Sequence, residues 1–372
     1  MTRNPNVIGK LQLTCMIIQA QFGSAIITIA HALNEKAGTG AWVSCLLSGI
    51  INTFYAYLMW KLAGKAKGMN VMQMLMQRLG GFIGRGILII MGVFYALISY
   101  LVLTNWIVTT DLWAYPRTPV WFLLLALISV CFYMSRKPIR VYARFSVLAT
   151  IFMTFFILLS LFTVKDWNHY NVMPVLESGW LKILNGSLTA QWALMGIEFL
   201  LLLPCYYEHL DMRTVLRMTL YGNWATTIFI AFCTFSSTAL FGTDMISYIG
   251  QPLLYQMKAI SFNVIERFDL IVISIWILFI LTSVYSFFML FVSSISAIFK
   301  QPQAAPLPIA IVCAILLFTA SAYQLTVEQL NMVNGLIGRF GPFFSFSLII
   351  VILLLLRFAG IFRKSGGDNP LP

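Results

Sequence analysis

Glu198 is the side chain in this sequence most able to do chemistry, because it is the one charged residue in the apolar run 185–205. If that run crosses a bilayer, a lone carboxylate costs about 2.5–3.5 kcal/mol on insertion scales and normally faces a protein interior or an aqueous cavity. Such a carboxylate can accept a hydrogen bond from a ligand ammonium or hydroxyl group, or act as a protonatable switch. The alternative is a structural role, in which Glu198 binds a neighbouring helix.

A second polar interruption lies in the first apolar run, where Gln19 and Gln21 are followed by Gly23, Ser24 and Ala25. Glycine and polar side chains in the middle of a spanning helix permit a local break, and the amides that the break frees can point at an anion or a polar ligand. The same small residues can instead let another helix approach closely. This segment alone leaves both interpretations open.

Weaker candidates share a polar or aromatic side chain inside an apolar run. Each can line the same cavity or form hydrogen bonds between helices. They are Tyr95, Tyr100, Thr104, Asn105, Gln191, Thr282, Ser283 and Tyr285, and Gly196 joins them as a small residue beside Glu198. The three histidines and six cysteines show no ligand spacing, so the sequence predicts no metal site, no cofactor and no catalytic group.

The elements that must position these residues are membrane-spanning helices. Of the 372 residues, 60% are hydrophobic and only 10% are charged, and the mean hydropathy is +0.87. A soluble domain carries about 25% charged residues, so a soluble enzyme, a nucleic-acid-binding protein and a disordered scaffold are excluded. Basic residues recur in short clusters between apolar runs, which is the pattern of a multi-pass helical membrane protein.

Ten stretches meet or approach the roughly 20 apolar residues that a helix needs to cross the hydrocarbon core. The backbone in lipid must satisfy its own hydrogen bonds, so these stretches are predicted to be helices. The sequence therefore predicts an all-α protein with a single transmembrane domain of ten spans and short tails at 1–10 and 357–372. The predicted spans are 11–33, 39–60, 86–110, 118–134, 145–164, 185–205, 218–241, 270–298, 307–325 and 335–356.

The basic residues predict the orientation of the chain. With ten spans both termini share one side of the membrane, and 17 of the 24 lysines and arginines fall on that side. The positive-inside rule then places both termini in the cytoplasm. Three segments outside the spans, 66–80, 165–183 and 242–267, have apolar or aromatic patterns, and each is predicted to rest on the bilayer surface. The alternative for 165–183 is an aromatic loop that covers an outer vestibule.

The two interrupted runs are the first and the sixth of ten, which makes them corresponding members of two halves, about 11–164 and 185–356. A matched pair of interrupted helices marks the mid-membrane binding site of inverted-repeat transporters. The sequence therefore predicts two inverted five-helix repeats, a LeuT-like fold with discontinuous first and sixth helices, and a ligand between those two helices.

Five short motifs occur in order along the chain. They are Gly-Ser-Ala-Ile-Ile-Thr-Ile-Ala at 23–30, Ala-Gly-Thr-Gly-Ala-Trp-Val at 37–43, Met-Pro-Val-Leu-Glu-Ser-Gly-Trp at 173–180, Gly-Ile-Glu at 196–198 and Glu-Arg-Phe-Asp at 266–269. Taken together over about residues 8–360, the set resembles the B subunits of the Ger-type spore germinant receptors. Those subunits belong to the amino acid–polyamine–organocation transporter superfamily.

This resemblance implies a protein of the inner spore membrane that senses a small germinant. It also implies partner A and C subunits, with which the chain triggers ion release. Two positions depart from the family pattern, because Ala25 replaces a glycine and Ala30 replaces a proline. The break in the first helix is therefore expected to be shorter than in the family.

A secondary transporter for an amino acid or another small solute is the alternative function, since it would bind its solute between the same two helices. A transporter needs alternating access and usually a coupling ion, whereas a sensor needs only different ligand affinities in two states. The fifth run, 145–164, contains no lysine or arginine that could couple a proton, which favours the sensor, but Glu198 could carry a proton in a transporter. A structural anchor for partner subunits, the third class, would have no solute pocket.

Overall fold

The computed structural model describes residues 7–365 except positions 176, 208, 261–267, 302 and 324. Within these residues the chain forms α-helices joined by short loops and 3₁₀ turns. The helices are α1 Lys10–Gln21, α2 Ala25–Ala37, α3 Ala41–Ala63, α4 Val71–Leu79, α5 Gly81–Trp113, α6 Val120–Ser135, α7 Ile139–Phe162, α8 Trp180–Ala190, α9 Met212–Tyr248, α10 Pro252–Lys258, α11 Phe268–Ile298, α12 Leu307–Ala322 and α13 Val327–Ser365.

Each of the ten predicted stretches is largely helical, and the first and sixth are interrupted. The first consists of α1 and α2, and the sixth consists of α8 followed by two 3₁₀ turns. Six described segments are long and apolar enough to cross a membrane by length and composition. They are Ala25–Ala63, Gly81–Trp113, Ile139–Phe162, Met212–Tyr248, Phe268–Ile298 and Glu328–Phe358. The helices α6 and α12 are apolar but shorter, so the count of ten crossings remains a prediction.

The first helix lies at the centre of the packing. Leu13, Met16, Ile17 and Ala20 of α1 are completely buried, because α7, α9 and α11 all pack against α1. Around it, α5 packs along α11 and α3 packs along α9. The third stretch thus packs against the eighth, and the second packs against the seventh.

The helices of the predicted spans have apolar outward faces. Ile151, Ile228, Leu316 and Leu354 are among the large side chains that are about half exposed or more. A soluble monomer rarely exposes apolar patches larger than a few hundred Å², whereas hydrocarbon solvates such side chains without cost. This surface is the one that a multi-pass membrane protein presents to lipid.

The amphipathic segments at 66–80 and 242–267 contain helices, but these helices pack against the protein and do not merely rest on the bilayer. Val71 and Leu75 of α4 are buried, and α4 lies against α5 and α11. Leu253, Leu254 and Met257 of α10 are buried as well, because α10 lies against α2 and α11. The positions 264 and 265, predicted to continue this apolar face, lie outside the described residues.

The loop at 165–183 is attached to the end of α9. The backbone N–H of Asn168 and the side-chain amide of Asn171 both donate to the carbonyl of Ala239, at 2.9 and 3.0 Å. The Trp167 ring packs edge-on against Phe235, with centroids 5.7 Å apart. These contacts attach the first part of the loop to α9.

Asp211 caps the N-terminus of α9. Its carboxylate accepts a hydrogen bond from the Thr214 N–H at 3.1 Å, and this contact with Thr214 lowers the pKa of the exposed Asp211 carboxyl. The lowered pKa means that ionised Asp211 contributes to the free energy of unfolding. This contribution is fully present above the ordinary aspartate pKa, and it is lost as the pH falls through the lowered pKa of Asp211.

We therefore expect Asp211→Asn, which retains a good cap, to reduce the loss of thermal stability on acidification. Thermal midpoints of the wild type and the variant, measured from pH 7 to pH 3, test this expectation. If the difference between the two proteins does not change with pH, the capping role assigned to the charged form is wrong.

Candidate ligand site at the two broken helices

The first break lies between Gln21, where α1 ends, and Ala25, where α2 begins. The first N–H groups of α2 have no acceptor within the helix, and this end of a helix carries a partial positive charge. Ser24 precedes the helix but its side chain caps none of these groups. At Gly23, a Cβ atom would lie 3.0 Å from the Ser283 Oγ of α11, so α11 packs against bare backbone at the break.

The second break lies in the sixth stretch. After α8 the chain forms the 3₁₀ turn Gln191–Leu194, becomes extended at Met195, and continues as the 3₁₀ turn Ile197–Leu201. Gly196 has a φ of +136°, which glycine adopts without the steric cost that a side chain imposes. A Cβ atom at Gly196 would lie 2.4 Å from the carbonyl carbon and oxygen of Ala20. The two breaks are therefore in direct backbone contact.

Amide side chains satisfy the backbone that the second break leaves free. The Leu194 carbonyl accepts hydrogen bonds from Gln21 Nε2 at 2.8 Å and from Asn52 Nδ2 at 3.2 Å. Asn52 Nδ2 also donates to Asn223 Oδ1 at 2.7 Å. A backbone carbonyl in the lipid region that receives no hydrogen bond costs several kcal/mol. This network of donors therefore stabilises the second break.

A narrow cleft lies between the two breaks. It has a volume of about 20 Å³, which is enough for about one water molecule. Gln21 Nε2 is bonded to Leu194, but Gln21 Oε1 is buried and has no hydrogen-bond partner among the described residues. The lining consists of Gln21, Gly23, Ser24, Ala25, Ile98, Val102, Trp192, Ala193, Met195, Ser283 and Phe287.

A larger cavity lies on the other side of the second break, between α3, the sixth stretch and α13. Its volume is about 310 Å³, which is at the small end of pockets that hold drug-sized ligands. Met195 lines both the cleft and this cavity. The cavity lining consists of Ile51, Asn52, Tyr55, Leu188, Gln191, Met195, Glu198, Pro342, Phe343, Ser345 and Phe346.

Glu198 is completely buried and joins three elements at the wall of the larger cavity. Its Oε2 accepts from the Gly196 N–H at 2.7 Å, and its Oε1 accepts from the Tyr55 hydroxyl at 2.8 Å and the Ser345 hydroxyl at 2.9 Å. Tyr55 and Ser345 also lie within hydrogen-bond distance of each other. Tyr55 and Ser345 have two hydroxyl hydrogens for three oxygen–oxygen contacts, so the two that donate to Glu198 leave the contact between the hydroxyls without a hydrogen.

The residues predicted to form one site are divided between the two cavities. The cleft is lined by the four candidates of the first run, from Gln21 to Ala25, whereas Gln191 and Glu198 line the larger cavity. Gly196 lines neither cavity, because it is packed against the backbone of α1. Both of the roles considered for Glu198 are compatible with its position, since it binds neighbouring helices and also borders a cavity.

Ser283 is the weaker candidate that the structure places in the cleft. Tyr285 stacks on Tyr142, with ring centroids 4.2 Å apart, and Thr282 donates to Gln19 Oε1 at 3.0 Å. Asn105 exchanges hydrogen bonds with an asparagine of α13. These contacts are interhelical packing. Tyr95, Tyr100 and Thr104 likewise lie outside both cavity linings, so Tyr100 and Tyr285 are not brought to the predicted site.

Four residues that complete the site were missed by the sequence-based prediction: Asn52, Tyr55, Asn223 and Ser345. A signal existed for the two asparagines, because a buried amide in a membrane helix needs an interhelical partner. Tyr55 and Ser345 carried no such signal, since tyrosine and serine are common in spanning helices and their neighbours in space are more than 140 positions apart in sequence.

Comparison with solved structures defines the class of protein. The chain matches a Na⁺-coupled sialic acid symporter in a substrate-bound outward-open state, with a TM-score of 0.64, 11% identity, and coverage of 98% of this chain and 92% of the symporter. It also matches a manganese transporter of Eremococcus coleocola, with a TM-score of 0.53, 12% identity, and coverage of 95% and 76%. This is a multi-pass helical membrane protein with a fold used by membrane transporters.

The sequence comparison then defines the family. The family described as Spore germination protein matches residues 7–328, and the chain belongs to it. Spore germination protein GerQB of Bacillus cereus is 25% identical over 342 residues, which cover 91% of this chain and 93% of that protein. Spore germination protein A2 of Bacillus subtilis (strain 168) is 25% identical over 296 residues, covering 77% and 80%. The resemblance found in the motifs is confirmed.

Proposed function

We propose that this chain is the germinant-sensing subunit of a spore germination receptor and that a small nutrient, such as an amino acid, binds in the cleft between the two breaks. The observation that carries the proposal is the pairing of two unsatisfied groups at one cleft. The N-terminal amides of α2 suit a carboxylate, and the partnerless Gln21 Oε1 suits an ammonium group. An α-amino acid carries both groups on neighbouring atoms.

The small volume of the cleft supports sensing by a change of conformation. A space for about one water molecule cannot hold an amino acid, so binding requires the breaks to separate. A ligand that binds only the separated state stabilises that state by its differential affinity. The packing of α9 and α11 on α1, and of α9 on α2, provides a route by which such a change reaches the rest of the protein.

The arrangement that goes with this proposal is a single transmembrane domain with ten spans, built as two inverted five-helix repeats of about 11–164 and 185–356. Both termini lie in the cytoplasm, which is the spore core, and the membrane is the inner membrane of the spore. The chain works with the A and C subunits of the receptor, through which ligand binding leads to ion release. The membership of the spore germination protein family supports this assignment.

We expect Gly23→Val to abolish the germinant response of spores while the protein still accumulates in the membrane. The valine side chain fills the approach to the α2 amides, because even a Cβ atom there lies 3.0 Å from Ser283 Oγ. The response is measured as the germination rate against nutrient concentration in spores that carry the variant as the sole copy. Gly86→Val is the matched control, because a Cβ at Gly86 meets no atom within 4 Å.

A second pair of variants tests whether the effect is local. Gly23→Ala is expected to raise the nutrient concentration required, and adding Ser283→Ala to it removes the Oγ and leaves the nearest atom at 3.7 Å. The double variant should respond better than Gly23→Ala alone. A full response of Gly23→Val at ordinary nutrient concentrations would place the ligand elsewhere.

A secondary transporter is the second candidate, favoured by the fold shared with a Na⁺-coupled symporter. The purified chain in liposomes distinguishes the two functions. A sensor gives saturable binding of the nutrient without sustained uptake under a sodium or proton gradient. Gradient-driven accumulation of a nutrient that also triggers germination would make the chain a transporter.

A further inference from the structure

The larger cavity opens towards lipid. Two of its lining residues, Leu188 on α8 and Phe343 on α13, are 37% and 51% exposed. Phe54 of α3, 55% exposed, packs beside them on the lining residue Phe346, with ring centroids 5.7 Å apart. These side chains belong to the apolar outer surface that faces hydrocarbon. A ligand of this cavity therefore enters from the bilayer rather than from water.

The inner wall of the cavity carries a buried carboxyl group without a cationic partner. In the part of the chain that the structure describes, no lysine, arginine or histidine forms an ion pair with Glu198, and the eleven lining residues include no basic side chain. A carboxylate offers about four acceptor positions, and Glu198 uses three of them. One position remains for a donor.

The chemistry of the two ends selects the ligand. The apolar mouth suits a hydrocarbon chain, and the wall suits a head that donates hydrogen bonds and carries a positive charge. A carboxylate or phosphate head is disfavoured, because the lining offers no basic residue to offset its charge. An alcohol can donate a hydrogen bond but cannot form an ion pair with the carboxylate form of Glu198, so it binds more weakly than an ammonium ion.

We propose that this cavity is a second ligand site, which takes a primary alkylammonium ion from the bilayer. The chain of the ligand lies between Leu188, Phe343 and Phe346, and the ammonium group binds Glu198. This site is separate from the proposed nutrient cleft, although Met195 lines both. It goes beyond the germinant-sensing function and does not depend on it.

The test uses the full-length purified protein in phosphatidylcholine nanodiscs and radiolabelled octylammonium as the probe. Empty nanodiscs give the background from partitioning. We expect saturable binding of octylammonium to the wild type, binding of 1-octanol that is weaker by about tenfold or more, and no saturable binding of octanoate. The difference follows from the strength of a charge-assisted hydrogen bond.

Leu188→Trp fills the mouth of the cavity and is expected to abolish the binding of octylammonium. Leu184→Trp is the matched control, because Leu184 lies one turn earlier on α8 and is exposed, but it does not line the cavity. Glu198→Gln is expected to weaken the binding by roughly ten- to hundredfold. Gly23→Val, which blocks only the nutrient cleft, should bind octylammonium like the wild type.

Several results would overturn the proposal. One is equal binding of octylammonium to the wild type and to Leu188→Trp. Another is binding of octanol as tight as that of octylammonium, and the last is the absence of saturable octylammonium binding to the wild type. The first would place the probe on the outer surface, and the second would make the cavity a simple apolar pocket for lipid chains. Since the assay measures no nutrient response, its failure leaves the proposed nutrient site standing, and the Gly23→Val test can fail separately.

Discussion

Alanine in place of Gly196 is expected to prevent the protein from accumulating in folded form. The backbone at this position has a φ of +136°, which costs a residue with a side chain about 1–3 kcal/mol. The added methyl group would also lie 2.4 Å from the carbonyl carbon and oxygen of Ala20 and 2.6 Å from the Gln21 nitrogen. These are backbone atoms of a central helix, so they cannot move aside as the end of a flexible side chain can.

Together the strain and the overlap cost roughly 2–6 kcal/mol, a large part of the 5–15 kcal/mol that stabilises a typical folded protein. The measurement is the yield of monodisperse protein in size-exclusion chromatography after extraction from the membrane. Gly86→Ala is the control, because it adds a methyl group in open space on α5. Wild-type yield and thermal midpoint for Gly196→Ala would show that the two breaks are not in contact.

Glu198→Leu is expected to lower the free energy of unfolding by about 3 kcal/mol or more. The substitution leaves three donors without their acceptor, namely the Gly196 N–H and the hydroxyls of Tyr55 and Ser345. A buried donor that loses its acceptor costs about 1–3 kcal/mol. The thermal midpoint in nanodiscs, followed by tryptophan fluorescence, reports the loss.

A compensating variant shows whether the hydrogen bonds cause the loss. Tyr55→Phe and Ser345→Ala, added to Glu198→Leu, remove two of the three orphaned donors, and we expect the triple variant to regain much of the stability. Glu198→Gln should be intermediate, because it keeps an oxygen for the two hydroxyls but turns an amide NH₂ towards the Gly196 N–H. Unchanged stability of Glu198→Leu with reduced nutrient sensitivity would instead assign Glu198 to ligand binding alone.

The positions of the helices and of both interruptions could be predicted from the sequence. Hydropathy is a local sum, and lipid leaves the backbone few alternatives to a helix, so the ten stretches are helical as predicted. The breaks were also marked locally, by Gly23 beside Ser24 in the first stretch and by Gly196 beside a lone carboxylate in the sixth. The sixth break proved to be two 3₁₀ turns around an extended Met195.

The amphipathic segments show what a local pattern leaves open. The apolar faces of α4 and α10 were evident, but an apolar face shows only that one side of a helix is buried. Whether lipid or protein covers it depends on which helices lie nearby. For α10 the neighbours are α2, which is distant in sequence, and α11, which follows α10 in the chain. The apolar face of α10 is therefore covered by protein.

The sequence by itself determined that this is a helical membrane protein. It also determined which two helices are broken and which family the chain resembles. These properties follow from short runs of residues and their order along the chain. The tertiary structure decided how the candidates are grouped. Gly196 at φ +136° turns the chain so that helical spacing no longer relates the residues on either side of it. Glu198 therefore meets Tyr55 and Ser345 at one cavity while Gln21 and Gly23 line another, a division that depends on contacts between residues far apart in the sequence.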